Sequence, residues 1–257
     1  MIARIRAYER LFYGILGFVV VLAVWELAGD LGLYRKSLLS TPSLVWTAAV
    51  QDFGSGTIWP DLRTSGIEFA LGFISALIVG IPLGFAIGLF ARVDDTVSPL
   101  LYGIYSTPKA AIAPLIILVF GIGLESKVIL VFLLTFFSII VSTVSGVRAV
   151  NERHLDLAQS FGASRMLRLR SVVLPSTFPF ILTGIRIATG RALVGVIVAE
   201  ELAANEGIGH YIELYGAFLQ TSRVMLGVVL LGVFGVALGE IVKRVEKRYE
   251  VWRPEIH

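Results

Sequence analysis

Residues 69–91 read Phe-Ala-Leu-Gly-Phe-Ile-Ser-Ala-Leu-Ile-Val-Gly-Ile-Pro-Leu-Gly-Phe-Ala-Ile-Gly-Leu-Phe-Ala, 23 positions without one charge. A helix rising 1.5 Å per residue needs roughly 20 apolar residues to cross a bilayer core, so this stretch alone is long enough to span one. Working outward, the same reading marks Leu11–Ala28, Val97–Leu124, Val128–Val147, Phe178–Ala199 and Val224–Val242. The chain of 257 residues is 56% hydrophobic and only 16% charged, with a mean hydropathy of +0.83. Soluble domains carry about 25% charged residues, and a soluble globule of this size has no means of hiding so much apolar surface. The expectation is an all-α membrane protein of six transmembrane helices. There is no cysteine, which excludes disulfide scaffolds and zinc ribbons. A net charge of +3 gives no argument for nucleic acid.

Orientation follows from Lys and Arg, which accumulate in cytoplasmic loops. With the N-terminus inside, 14 of the 22 fall in inner segments (Arg4, Arg6, Arg10, Arg92, Arg148, Arg153, Arg165, Arg168, Arg170, Lys243, Arg244, Lys247, Arg248 and Arg253). Five fall outside (Arg35, Lys36, Arg63, Lys127, Arg223) and three, Lys109, Arg186 and Arg191, within spans. Both termini are therefore expected in the cytoplasm, and the first span as a retained helix rather than a cleaved signal. Outside, Thr41-Pro42 is a helix-start signal for a short helix over Pro42–Asp52 lying on the membrane surface. The expected organisation is a leading helix with that outer segment (1–60), a core of five spans (61–245) and a cytoplasmic tail (246–257).

The long inner connection, Arg148–Ser176, reads as a short helix ending near Phe161, a tight turn at Gly162, a basic helix capped by Ser164, and a stop at Pro175. Phe161, Met166 and Leu167 are apolar in a segment that is otherwise wet, and apolar knobs ringed by arginines suit a docking surface. A solvated hairpin held by anionic lipid head groups is the other reading.

At this point the sequence resembles a family. Asp156-Leu157-Ala158, then Gly162, Val172 and Leu174-Pro175 fall at the spacing of the EAA signature, EAA-x3-G-x9-I-x-L-P, of type I ABC importer permeases. Asp156, Leu157 and Val172 depart from it; the glycine, leucine and proline are kept. Ser40-Thr41-Pro42-Ser43, Gly80-Ile81-Pro82-Leu83-Gly84, Pro114-Leu115, Phe120-Gly121-Ile122-Gly123, Ala199-Glu200, Gly207-Ile208-Gly209 and Trp252-Arg253-Pro254 are similar to the nitrate/sulfonate/taurine branch. The resemblance implies a MetI-like core with a cytoplasmic coupling helix, whose residues would be Asp156, Leu157, Ala158, Phe161, Gly162, Ala163, Met166 and Leu167. It implies a bacterial inner membrane, a homodimer, two ATPase subunits inside, a solute-binding protein outside, and alternating access for a small solute, anionic in the branch. ATP and magnesium would sit on the partner ATPase, with no cofactor on this chain. In agreement, none of the five lysines follows a glycine as a P-loop demands, and His154, His210 and His257 gather into no catalytic or metal-binding group.

Charges within spans are costly and usually face a bundle interior or cavity. Lys109, Arg186 and Arg191 either line a pathway for an anionic solute or form structural pairs; the two arginines, five residues apart, point to different faces. Pro108-Lys109 to Pro114 is the expected pathway-lining break. Glu200, Glu201, Gly207 and Gly209 fall at the outer end, where the family's gate and binding-protein contact lie, and solvation explains the carboxylates equally. Gly72, Gly80, Gly84 and Gly88 share one helix face, which suits close packing. An ion-driven secondary carrier would show inverted repeats and an intramembrane enzyme a buried catalytic group; neither is legible.

Overall fold

The computed structural model describes residues 2–35 and 38–249. Lys36, Trp252-Arg253-Pro254 and His257 therefore lie outside the described residues. Among those described, all regular structure is helical. Five helices are long and apolar enough to span a bilayer: α1 (Ile2–Asp30), α3 (Trp59–Leu89), α6 (Leu124–Arg148), the run ending in α9 (Leu174–Ala203), and α11 (Thr221–Tyr249). The expected third span is not one helix. It divides into α4 (Ala91–Ser106), a single 3₁₀ turn at Lys109–Ile112, and α5 (Ala113–Phe120), bent by 83°. Pro108 has no N–H to continue α4 and disfavours helical geometry at Thr107, and Thr107 is extended at φ −75°, ψ 139°. Counting the bent pair as one crossing gives six.

The core lies along α6, which packs against α3 on one side and α9 on another. More than half of its most apolar stretch is buried (56%), against 6% for α1, whose apolar surface is left outward. The glycine stripe accounts for the closeness of α3 to α6. A Cβ on Gly72 would stand 2.6 Å from the Val131 side chain and 2.9 Å from the Val128 carbonyl; one on Gly84 would meet Thr143 Cβ at 2.6 Å. Only a residue without a side chain allows that approach.

Two expectations need correction. Pro175 does not stop a helix. The chain passes from α8 (Arg165–Arg168) through a π turn (Leu169–Val173) straight into α9, with Pro175 in its first turn. The Leu174 N–H reaches back to the Leu169 carbonyl, five residues away, and this wider turn accommodates the proline where a helix interior would clash. The helix α2 (Pro42–Ser55) starts at the expected place, yet the Thr41 side chain does not cap it. Glu26 of α1 does so instead, accepting from the Ser43 N–H at 2.9 Å and from its hydroxyl at 2.6 Å. One face of α2 is packed inward, with Val45, Ala48 and Asp52 buried against α10 (Ile208–Ala217) and α11. At the other end of the chain, α11 runs to Tyr249.

Candidate functional site

The connection over residues 148–176 folds as a helical hairpin. α7 (Glu152–Ser160) is capped by Asn151, whose side chain accepts from the Arg153 N–H at 3.0 Å. Gly162 follows with φ +77°, a left-handed turn that closes the C-terminus by donating to the Gln159 carbonyl, while the Ala163 N–H reaches the Ala158 carbonyl. Ser164 then caps α8, accepting from the Leu167 N–H at 3.3 Å, and Arg168 ties back to Gln159 at 2.7 Å. Each local choice therefore serves a rigid bend. None of the residues of α7 or α8 is buried. Phe161 is 83% exposed, and Leu157, Met166 and Leu167 are each more than half exposed. These four apolar side chains on one hydrogen-bonded hairpin stand uncovered among the described residues.

The break between α4 and α5 opens a cavity of about 340 Å³, lined by Tyr105, Thr107, Pro108, Lys109, Ala110, Leu134, Gly190, Arg191 and Val194. Three of the expected pathway residues, Pro108, Lys109 and Arg191, thus meet in one place. Arg191 donates to the Tyr105 hydroxyl at 3.0 Å and stacks over its ring, 4.7 Å from the centroid. Pro114 sits in the first turn of α5 and Arg186 faces elsewhere, paired with Glu246 of α11.

At the opposite end of α9 the gate candidates separate. Glu200 is fully buried and joins a knot that caps α10: its carboxylate accepts from the Ser65 hydroxyl and the Gly209 N–H, both at 2.6 Å. Ser65 in turn accepts from the Ile208 N–H, and Asp61 from the Gly207 N–H, at 2.8 Å each. Gly207 has φ +123°, and a Cβ there would lie 2.3 Å from the Glu200 carboxyl carbon. The helix N-terminus thus receives its acceptors from α3 and α9. Glu201, by contrast, is exposed. Two further pairs brace this end. Lys127 meets Glu68 at 2.7 Å with both buried, and Arg223 meets Asp52 at 2.9 Å, where Asp52 also accepts from Tyr211. Burial pushes the Asp52 carboxyl up, but the bonds from Arg223 and Tyr211 and the guanidinium charge outweigh it and hold it below the usual range. Burial and the bond to Asp52 push the Tyr211 hydroxyl well above its ordinary value.

A sequence model of the family described as "Binding-protein-dependent transport system inner membrane component" matches residues 76–251. The chain belongs to this family. It is a permease subunit of an ABC importer, a transport component that resides in the inner membrane. The permease is 33% identical over 242 residues to the taurine transport system permease protein TauC of Escherichia coli, covering 92% of this chain and 88% of the relative. It is 30% identical to the putative aliphatic sulfonates transport permease protein SsuC of Bacillus subtilis, with 93% and 87% covered. In fold it matches a chain of the MetNI methionine ABC transporter in its inward-facing form, with a TM-score of 0.60 and 19% identity over 77% of the permease and 99% of that chain.

The sequence located the hairpin and its glycine because their signals are local. The bonds of the permease from Glu26 to Ser43, Glu68 to Lys127 and Asp52 to Arg223 had no such signal; partners 59 and 171 residues apart come together only through packing.

Proposed function

We propose that this permease is one half of a homodimer that imports a small organic or inorganic anion, driven by two ATPase subunits docked on the cytoplasmic hairpin. The observation that carries the reading is the hairpin itself, where Leu157, Phe161, Met166 and Leu167 stand exposed around a glycine bend. Asp156, Ala158 and Ala163 complete the surface at the positions of the family's coupling residues. Nucleotide and magnesium belong to the ATPase, and the chain holds no cofactor of its own. ATP binding draws the two hairpins together and turns the pathway outward; hydrolysis resets it. Such a two-state element, biased by a ligand at a distance, is what coupling requires. Leu115, Leu118 and Val119 of α5, 61–80% exposed, support an apolar face for the second copy and lipid. The exposed Glu201 and the turn from Gly207 to Gly209 support contact with an outer solute-binding protein, whereas Glu200 contributes from beneath. The names of TauC and SsuC support a sulfonate-type solute.

Phe161→Ala tests the docking. Because the ring is exposed, the melting temperature of the isolated permease stays unchanged. Loss of an aromatic anchor costs about 2 kcal/mol or more, roughly thirtyfold in affinity for the ATPase subunit. Unchanged affinity and uptake would refute the assignment.

A further inference from the structure

Glu68 of α3 and Glu200 of α9 are sealed from solvent, at 1% and 0% exposure, and stand within hydrogen-bonding reach of each other. Glu200 accepts from the Ser65 hydroxyl and the Gly209 N–H, both at 2.6 Å. Glu68 takes the Lys127 ammonium on Oε1 at 2.7 Å, while its Oε2 is buried and receives no donor. An ionised carboxyl is an acceptor only, so two of them side by side offer each other nothing. Buried polar atoms are rarely left without a partner.

The charge count points the same way. Two sealed carboxyls share one buried ammonium, that of Lys127. The N-terminus of α10 adds about half a positive charge, but Asp61 already answers it through the Gly207 N–H. The other charged groups nearby are committed elsewhere or face solvent. Glu206 accepts from the Thr64 hydroxyl, His210 turns to Glu213 at 3.6 Å, and Arg223 of α11 is spent on Asp52. Arg63, Glu125 and Glu201 are exposed. One negative charge is left over in a place sealed from water, where an unpaired ion is costly. A single hydrogen ion removes that charge and supplies the missing donor.

We infer that Glu68 and Glu200 together bind one proton, carried by Glu200 and donated to Glu68, and that this proton keeps α10 seated on α3 and α9. The Lys127 ammonium holds the negative charge on Glu68, whereas Glu200 meets only neutral donors and takes the proton. A protonated carboxyl keeps acceptor capacity, so the bonds from Ser65 and Gly209 survive, and with them the hold on the first N–H groups of α10. Without the proton, two like charges meet beneath the start of that helix and its seat loosens.

The test is infrared spectroscopy of the full chain in lipid nanodiscs at neutral pH. The wild-type chain shows a carboxylic-acid carbonyl band that is lost in Glu200→Gln and kept in Glu201→Gln, the exposed neighbour. In Glu200→Gln the amide oxygen meets the Gly209 N–H, and the amide nitrogen donates to Glu68 and to Ser65, whose hydroxyl is free to rotate. Its melting temperature therefore falls far less than that of Glu200→Ala. Hydrogen exchange gives a readout that packing alone would not move. The seated state holds a proton that the open state gives up, so raising the pH quickens exchange at residues 208–211 by up to about tenfold per pH unit beyond its intrinsic rise. That excess disappears in Glu200→Gln. Absence of the band in the wild type, its survival in Glu200→Gln, or exchange that responds to pH alike in both chains overturns the inference. So does a Glu200→Gln chain that fails to fold or melts as low as Glu200→Ala.

Discussion

Replacing Gly72 by alanine adds one methyl group to the seam between α3 and α6, and the geometry around it sets the cost. The new Cβ would lie 2.6 Å from Val131 Cβ and Cγ1 and 2.9 Å from the Val128 carbonyl, whereas carbon atoms rest at about 3.5–4.0 Å. Val131 has no room to withdraw, because a Cβ at Gly195 of α9 would already stand 3.1 Å from Val131 Cα on its other side. The helices must therefore separate by about an ångström, which places the cost at the upper end of overpacking, about 3 kcal/mol. Removing a glycine from a helix returns about 1 kcal/mol, leaving a net loss of about 2 kcal/mol, or about 4–8 °C for a domain of 150–250 residues. Two neighbours on the same helix calibrate the measurement. At Gly80 the new atom would meet Ile139 Cγ2 at 3.2 Å, Ile139 Cβ at 3.4 Å and Phe136 Cδ2 at 3.5 Å, and at Gly66 it would meet nothing within 4 Å. Thermal unfolding of the three alanine variants in one detergent should rank them Gly66→Ala at or above wild type, Gly80→Ala slightly below, Gly72→Ala lowest. A Gly72→Ala variant as stable as wild type would refute the close-packing argument.

Other perturbations have equally definite outcomes. Lys127→Met strands the buried Glu68 carboxylate and should cost about 3–5 kcal/mol, while Glu68→Leu with Lys127→Met should recover most of it; denaturation of the single and double variants in mixed micelles decides. Asp52 is held below its ordinary range when folded, so its contribution is present above about pH 4, the unfolded value, and is lost as pH falls through the folded value. Comparing wild type with Asp52→Asn should show the wild-type advantage in melting temperature shrinking below that pH. Gly162→Ala meets no atom within 4 Å but must adopt φ +77°, costing about 1–2 kcal/mol. Hydrogen exchange in residues 152–168 should accelerate, and ATP-driven uptake should fall, with the global unfolding temperature unmoved.

How much of this was legible in advance depends on the range of the interaction. The spans follow from runs of apolar residues, the hairpin from Asn151, Gly162 and Ser164 acting on their own neighbours, and the seam from glycines at helical spacing. The break at Pro108 was expected because proline acts locally; its 83° bend was not, since packing sets the angle. The role of Lys109 was open because a lysine between prolines serves a pathway or a helix end equally well in one dimension. Glu200 and Glu201 are adjacent in sequence, yet one is sealed beneath α10 and the other exposed, a division made by the rotation of α9 against α3. Pro175 misled for a related reason: proline ends a helix unless a wider turn precedes it, and the π turn at Leu169–Val173 is visible only in three dimensions.

The central claim, that the hairpin is the joint to an ATP-driven motor, is open to direct measurement because the chain contains no cysteine. Ser160→Cys places a single thiol beside the glycine bend. In membranes containing the assembled transporter, a short bifunctional crosslinker should join it to the ATPase subunit, with a yield that changes when ATP is bound. Labelling by water-soluble or lipid-borne reagents alone, with no ATPase adduct under any nucleotide condition, would contradict the account.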